Sequence, residues 1–173
     1  MSATTVLACV AFGANLGDAV VSVTQALSDV AALPQTQLLK ASSLYRSAPY
    51  EAQGPDFINA VALIQTQLSP LDLLHALQAL ELQSGRERPF KNAPRTLDLD
   101  LIFYSDLALA IPELTLPHPR WHERAFVLLP LAEIWPERVT NAQLSAVQHQ
   151  AIHRITQTVS ALPQFGIQSS AES

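Results

Sequence analysis

Leu97-Asp98-Leu99-Asp100-Leu101-Ile102-Phe103-Tyr104 reads as a β-strand. Side chains two residues apart in a strand share a face, so Asp98 and Asp100 project together while the leucines pack the other way. Two neighbouring carboxylates repel and need a partner. Hard divalent cations supply one, since magnesium is held by one or two carboxylates plus substrate phosphates. A solvent-facing strand edge, or pairing with arginine, would account for the same pentapeptide.

Upstream of this strand lies a polar, basic loop, Gly85–Thr96, which carries Arg86, Arg88, Lys91 and Arg95. The chain has only ten Lys and Arg residues, eight of them arginine, within a net charge of −5. An acidic protein that gathers its arginines beside a carboxylate pair suits a metal-bridged polyphosphate, because the guanidinium fork grips phosphate bidentately. The same charge argues against nucleic acid as a general partner. Neither a G-x-x-x-x-G-K-[ST] loop nor a kinase G-x-G-x-x-G loop is present, so any phosphate site is of another kind.

Further upstream, Ser69-Pro70 opens a helix, with serine as N-cap and proline at the first helical position, running through Leu73, Leu74, Leu77 and Leu80 to Gly85. Phe57–Leu68 alternates as a third strand, and Ser47–Pro55 is a loop before it. Gln37–Tyr45 is a second strand, Asp18–Ala32 a helix stopped by Pro34, and Val6–Phe12 the first strand, ending in a Gly13–Gly17 turn. The order β-α-β-β-α-β is that of a ferredoxin-like α+β fold with a mainly antiparallel sheet. Downstream come an extended Leu114–Pro119, a helix over Glu123–Ile134 interrupted by Pro130, an amphipathic helix over Leu144–Val159 and a frayed tail.

The 173 residues, 49% hydrophobic and 14% charged, read as one domain with a single core. No apolar run is long enough to span a membrane, and the start lacks the basic segment of a signal peptide. Cys9 is the only cysteine, which fits a reducing cytoplasm and a buried strand position. His118, beside Arg120 and Arg124, reads as a phosphate donor rather than a zinc ligand, because prolines flank it and no thiolate joins it. His149 and His153 decorate an exposed helix face.

Six segments, in order, carry a further signal: Phe12-Gly-Ala-Asn-Leu-Gly-Asp18, Tyr45-Arg-Ser-Ala-Pro49, Asp56-Phe-Ile-Asn-Ala60, Glu81-Leu-Gln-Ser-Gly-Arg86, Pro94-Arg-Thr-Leu-Asp-Leu-Asp100, and Leu116-Pro-His-Pro-Arg120 with His122-Glu-Arg-Ala-Phe126. Together they resemble the 6-hydroxymethyl-7,8-dihydropterin pyrophosphokinases. The resemblance runs from about Val6 to Pro136 and implies transfer of diphosphate from ATP to the hydroxymethyl group of a reduced pterin, releasing AMP. It implies two magnesium ions on Asp98 and Asp100, with Arg86, Arg95, His118 and Arg124 on the ATP phosphates. Gln78, Glu81, Arg88, Leu101 and Thr115 would surround the nucleotide. Asn59 and the main chain of Ser47, Ala48 and Tyr50 would read the pterin edge, with Phe57 and Phe126 sandwiching its ring.

Many relatives carry a tryptophan just before the Pro-Arg-Thr signature. Here the place reads Phe90-Lys91-Asn92-Ala93, so Phe90 would supply any stacking from that loop. The expected protein is a cytoplasmic monomer acting on ATP and a pterin alcohol, with its Arg86–Arg95 loop as a lid. Two rival readings remain at this point: another metal-dependent phosphotransferase or phosphoesterase built on the same carboxylate pair, and a non-catalytic ligand-binding module of the same fold.

Overall fold

The computed structural model describes residues 4–49, 54–85 and 97–155. The strand β1 (Val6–Ala14) is buried from Ala8 to Ala14, so its sequence is apolar throughout instead of alternating. Helix α1 (Ala19–Ala31) follows a turn in which Gly17 takes φ +62°, a conformation that favours glycine. Asp18 caps it, accepting from the Val21 N–H at 3.2 Å, and Val23, Ala26, Leu27 and Val30 form its buried stripe.

Where the sequence suggests one strand over Gln37–Tyr45, the structure has two: β2 (Thr36–Ala41) and β3 (Tyr45–Ser47). The break falls at Ser42, whose hydroxyl accepts the Val61 N–H at 2.9 Å in place of a backbone ladder bond. The next amide, Ser43 N–H, turns away to the Glu133 carboxylate. Both strands pair with the long β4 (Phe57–Thr66).

Helix α2 (Pro70–Gly85) begins as expected, with the Ser69 hydroxyl accepting from Asp72 N–H at 3.1 Å. Strand β5 (Asp98–Tyr104) then pairs with β1. A hairpin of β6 (Leu109–Ile111) and β7 (Leu114–Leu116) follows, of which the sequence reading found only the second arm. After the cis Leu116–Pro117 peptide and a 3-10 turn at Trp121–Glu123 comes helix α3 (Ala125–Ile134). Pro130 lies inside α3 and is buried there, so the expected interruption is absent.

The C-terminal part departs furthest from expectation. In place of the helix expected over Leu144–Val159, whose last four residues lie outside the described ones, a short α4 (Asn141–Ala146) starts earlier, on a Thr140–Gln143 capping box. The chain then turns and adds β8 (Ile152–Arg154) to the open edge of β3. The apolar positions Leu144, Val147, Ile152 and Ile155 carry too weak a helical period to outweigh a ready-made row of strand hydrogen bonds. His153 is exposed on that strand and His149 in the turn before it, so neither sits on a helix.

The sheet runs β5-β1-β4-β3-β8, with β2 also on β4 and every pairing antiparallel. This is the ferredoxin-like order with one strand added at an edge. One face packs α1 and α2 around Val10, Phe12, Leu27, Ile64 and Leu99. The other face packs α3, through Val127, Leu131 and Ile134, on Cys9, Val61, Ile102 and Phe103. Each fully buried aliphatic side chain here contributes about 1.5–3 kcal/mol. Helix α3 covers only part of its face, and the rest stays open over the N-terminal end of β5. Among the described residues no helix is long and apolar enough to cross a membrane.

Candidate active site

One row of residues crosses the uncovered part of the sheet. Gly13 on β1 stands opposite Asp98 on β5 and Asn59 on β4, and Asn59 stands opposite Tyr45 on β3. Cross-strand partners share a face, so Asp98 and Asn59 flank a glycine with no side chain between them. Asp100 lies one pleat on, opposite Ala11. Just past it, β5 bulges against the Cys9/Val10 junction, which places both Ile102 and Phe103 under α3. The aspartates thus project where α3 no longer covers the sheet.

Above this row is a cavity of about 230 Å³, lined by Ala11, Phe12, Gly13, Ser47, Ala48, Phe57, Asn59, Asp98, Asp100, Arg120, Arg124 and Phe126. It therefore gathers eight of the residues expected from sequence: Ser47, Ala48, Phe57, Asn59, Asp98, Asp100, Arg124 and Phe126. Asn59 is buried, and the Ser47 hydroxyl donates to its Oδ1 at 2.6 Å. That bond fixes the amide, with its nitrogen over Gly13, where an added Cβ would come within 3.3 Å of it. The cavity thus lines an amide donor with two aromatic side chains, which suits a flat polar heterocycle.

The charged end is built differently. Arg124 is the N-cap residue of α3, and its guanidinium lies 5.5 Å from the Phe126 ring centre. Its Nε is buried without a hydrogen-bond partner among the described residues. An arginine that lines a cavity beside two carboxylates fits an anionic ligand bridged to a cation. The carboxylates fit magnesium for the same reason. No cluster of three or more His, Cys, Asp or Glu exists among the described residues, so oxygens from a substrate would complete the shell.

His118 sits at this end, its main-chain N–H donating to Ile102 O at 2.9 Å. The Arg120 N–H donates to His118 Nδ1 at 3.1 Å, so the neutral ring carries its proton on Nε2 and is a donor there. Burial lowers its pKa from the ordinary 6.5, and Arg124 and Arg120 lower it further against the opposing pull of Asp100. The unfolded chain therefore takes up a proton first as the pH falls. Stability from this group is complete above pH 6.5 and is lost as the pH drops below it toward the folded value. In the metal-free protein a His118→Gln variant is expected to lose less stability between pH 7.5 and pH 5 than the wild type. Urea midpoints at the two pH values test this, and equal losses would remove His118 as the cause.

The remaining expected residues are scattered. Glu81 on α2 reaches β5 between the two aspartates, where its carboxylate accepts the Leu99 N–H at 2.7 Å. The Leu101 side chain is buried on the opposite face, against α1 and α2, which leaves only its main chain for a ligand. Gln78 and Thr115 are exposed and do not line the cavity. Tyr50, Arg86, Arg88, Phe90 and Arg95, with the expected lid, lie outside the described residues. Sequence reasoning gave Gly13 no role beyond its turn, although the register makes it the floor of the cavity.

A ferredoxin-like sheet with a small cavity on its face, charged at one end and aromatic at the other, suits a small ligand rather than a macromolecule. Comparison with known proteins narrows the class. Residues 9–136 match the 7,8-dihydro-6-hydroxymethylpterin-pyrophosphokinase family. The chain is 46% identical over 129 residues to a 2-amino-4-hydroxy-6-hydroxymethyldihydropteridine pyrophosphokinase of Pseudomonas aeruginosa, covering 74% of this chain and 80% of that one. It is 42% identical over 141 residues to the enzyme of that name from Haemophilus influenzae, covering 80% and 88%. The chain belongs to this pyrophosphokinase family. Among solved structures, Plasmodium falciparum HPPK-DHPS with pterin and p-hydroxybenzoate superimposes with a TM-score of 0.63 at 13% identity, over 83% of this chain. That likeness concerns the fold, and the chain spans 43% of the Plasmodium chain.

Proposed function

We propose that this chain transfers diphosphate from ATP to the hydroxymethyl group of 6-hydroxymethyl-7,8-dihydropterin, releasing AMP, in folate biosynthesis. Family membership supports the reaction. The observation that carries the assignment of residues is the row Asp98–Gly13–Asn59, which sets a metal-type carboxylate and a heterocycle-type amide on one cavity floor.

In this reading the pterin ring lies between Phe57 and Phe126, its edge read by Asn59 and by the main chain of Ser47, Ala48 and Tyr50. Asp98 and Asp100 hold two magnesium ions, which when bound neutralise phosphate charge and help an alcohol oxygen to attack. Arg124 and the Nε2–H of His118 bind the phosphates being transferred, fixed before the reaction begins so that little reorganisation is needed. Arg86 and Arg95 add positive charge from the neighbouring loop, and Gln78, Glu81, Arg88, Leu101 and Thr115 surround the nucleotide. No described side chain at the cavity is an evident general base, so positioning and charge carry most of the rate. We read the chain as one catalytic domain, monomeric and cytoplasmic; its single, buried cysteine, Cys9, fits the reducing compartment.

The deciding experiment supplies ATP, magnesium and the reduced pterin alcohol. AMP is expected only when all three are present, and chelating the magnesium with EDTA is expected to stop it. Phosphate release without the pterin would indicate a phosphoesterase, and binding without turnover a ligand-binding module.

A further inference from the structure

We infer that Gln150, which lies beyond the family match, is a positioning residue that clasps the two walls of the cavity together. A helix N-cap is normally Ser, Thr, Asp or Asn, whose side chain accepts one of the orphan N–H groups of the first turn. At the start of α3 that place is held by Arg124, which cannot accept a hydrogen bond and makes no side-chain cap. Its guanidinium goes to the cavity instead. The missing acceptor arrives from the C-terminal segment: Gln150 Oε1 accepts the Ala125 N–H at 2.9 Å, and Gln150 Nε2 donates to Glu123 O at 2.8 Å. One amide thus grips the main chain on both sides of Arg124 and immediately before Phe126.

The next residue holds the opposite wall. Ala151 O accepts the Ala48 N–H at 3.0 Å, and β8 continues from there along β3. Between the two walls is a second cavity of about 190 Å³ that shares Ser47, Ala48 and Phe126 with the first. Spacing between the Ser47–Ala48 main chain and the Phe126 ring is therefore set by two adjacent residues. This inference rests on the pterin-binding role proposed for those walls. Gln150 touches neither substrate in this account and acts through Arg124 and Phe126.

The test uses the full chain. In a Gln150→Ala variant the KM for the pterin alcohol is expected to rise about fivefold, the scale of one lost capping bond. A variant that was merely less stable would lose active molecules and show a lower apparent kcat at unchanged KM. Gln150→Glu keeps the acceptor for Ala125 N–H but sets an acceptor-only oxygen against Glu123 O, so KM is expected to stay raised because both arms of the clasp are needed. Thr140→Ala removes the capping box of α4 while leaving both Gln150 bonds in place, and is expected to leave KM unchanged. An unaltered KM in Gln150→Ala, a wild-type KM in Gln150→Glu, or an equal rise in Thr140→Ala would each overturn the clasp. If the wild type itself makes no pterin-dependent AMP, the proposed reaction fails instead. Amide exchange at Ala125 still reads the clasp in that case: faster exchange in Gln150→Ala supports it, and unchanged exchange overturns it.

Discussion

An Asp100→Ala enzyme is expected to fold normally and to form AMP about a hundredfold to a thousandfold more slowly than wild type. The carboxylate is partly buried at the rim of the cavity, on the same strand face as Asp98. Two like charges at that spacing disfavour each other, so removing one relieves repulsion in the metal-free protein. The fold does not depend on the pair, because the core of β5 is made by Leu99, Leu101, Ile102 and Phe103. Turnover does depend on it, since a preorganised electrostatic contact at a reacting centre is commonly worth two to three powers of ten. Parallel measurements of AMP formation and the urea midpoint separate the two effects. Near-normal turnover at a normal midpoint would show that Asp100 holds no essential cation.

A Gly13→Val enzyme is expected to lose pterin binding almost entirely, with KM raised about a hundredfold or more. Gly13 is an ordinary strand position in the middle of the sheet, so its backbone accepts valine without strain. Space is the obstacle. An added Cβ would stand 3.3 Å from the Asn59 amide nitrogen and 3.9 Å from the Phe57 ring, and the two γ-methyls would reach beyond it into the cavity. Asn59 cannot yield easily, because the Ser47 hydroxyl holds its oxygen. Gly13→Ala needs only a few tenths of an ångström and should show a much smaller rise, so the pair of variants grades the effect by volume. Titration with the pterin, followed by its fluorescence, reads binding without turnover. If Gly13→Val binds as tightly as wild type, the heterocycle does not sit on this floor.

Much of the frame was legible because local rules agree with it. Asp18 and Ser69 announce helix starts by their own chemistry, and β1 is a continuous apolar run. What escaped depends on distant partners. The break at Ser42 exists because Val61 is beside it, and β8 exists because β3 offers an edge. The β6–β7 hairpin has arms of three residues, too short for periodicity to register.

The site divides in the same way. Asp98 and Asp100 were visible because a period of two is written in adjacent letters. The family motifs carried Ser47, Phe57, Asn59, Arg124 and Phe126 to the cavity. Gly13 stayed hidden until the register paired it with Asn59 and Asp98. Gln150 stayed hidden because a cap supplied from 25 residues away has no local signature.

Among the described strands, the one that completes the sheet is the last to be synthesised. Until Ile152–Arg154 have left the ribosome, β3 presents its outer row of amides and carbonyls to whatever is near. A neighbouring nascent chain carries the same open row, and antiparallel addition of one copy to another meets no obstacle of topology. Shortening the chain before β8 therefore does more than loosen a clasp: it leaves a permanent template for self-association. Expression yield and aggregation of such a truncated form, rather than its catalytic constants, would be the first properties to suffer.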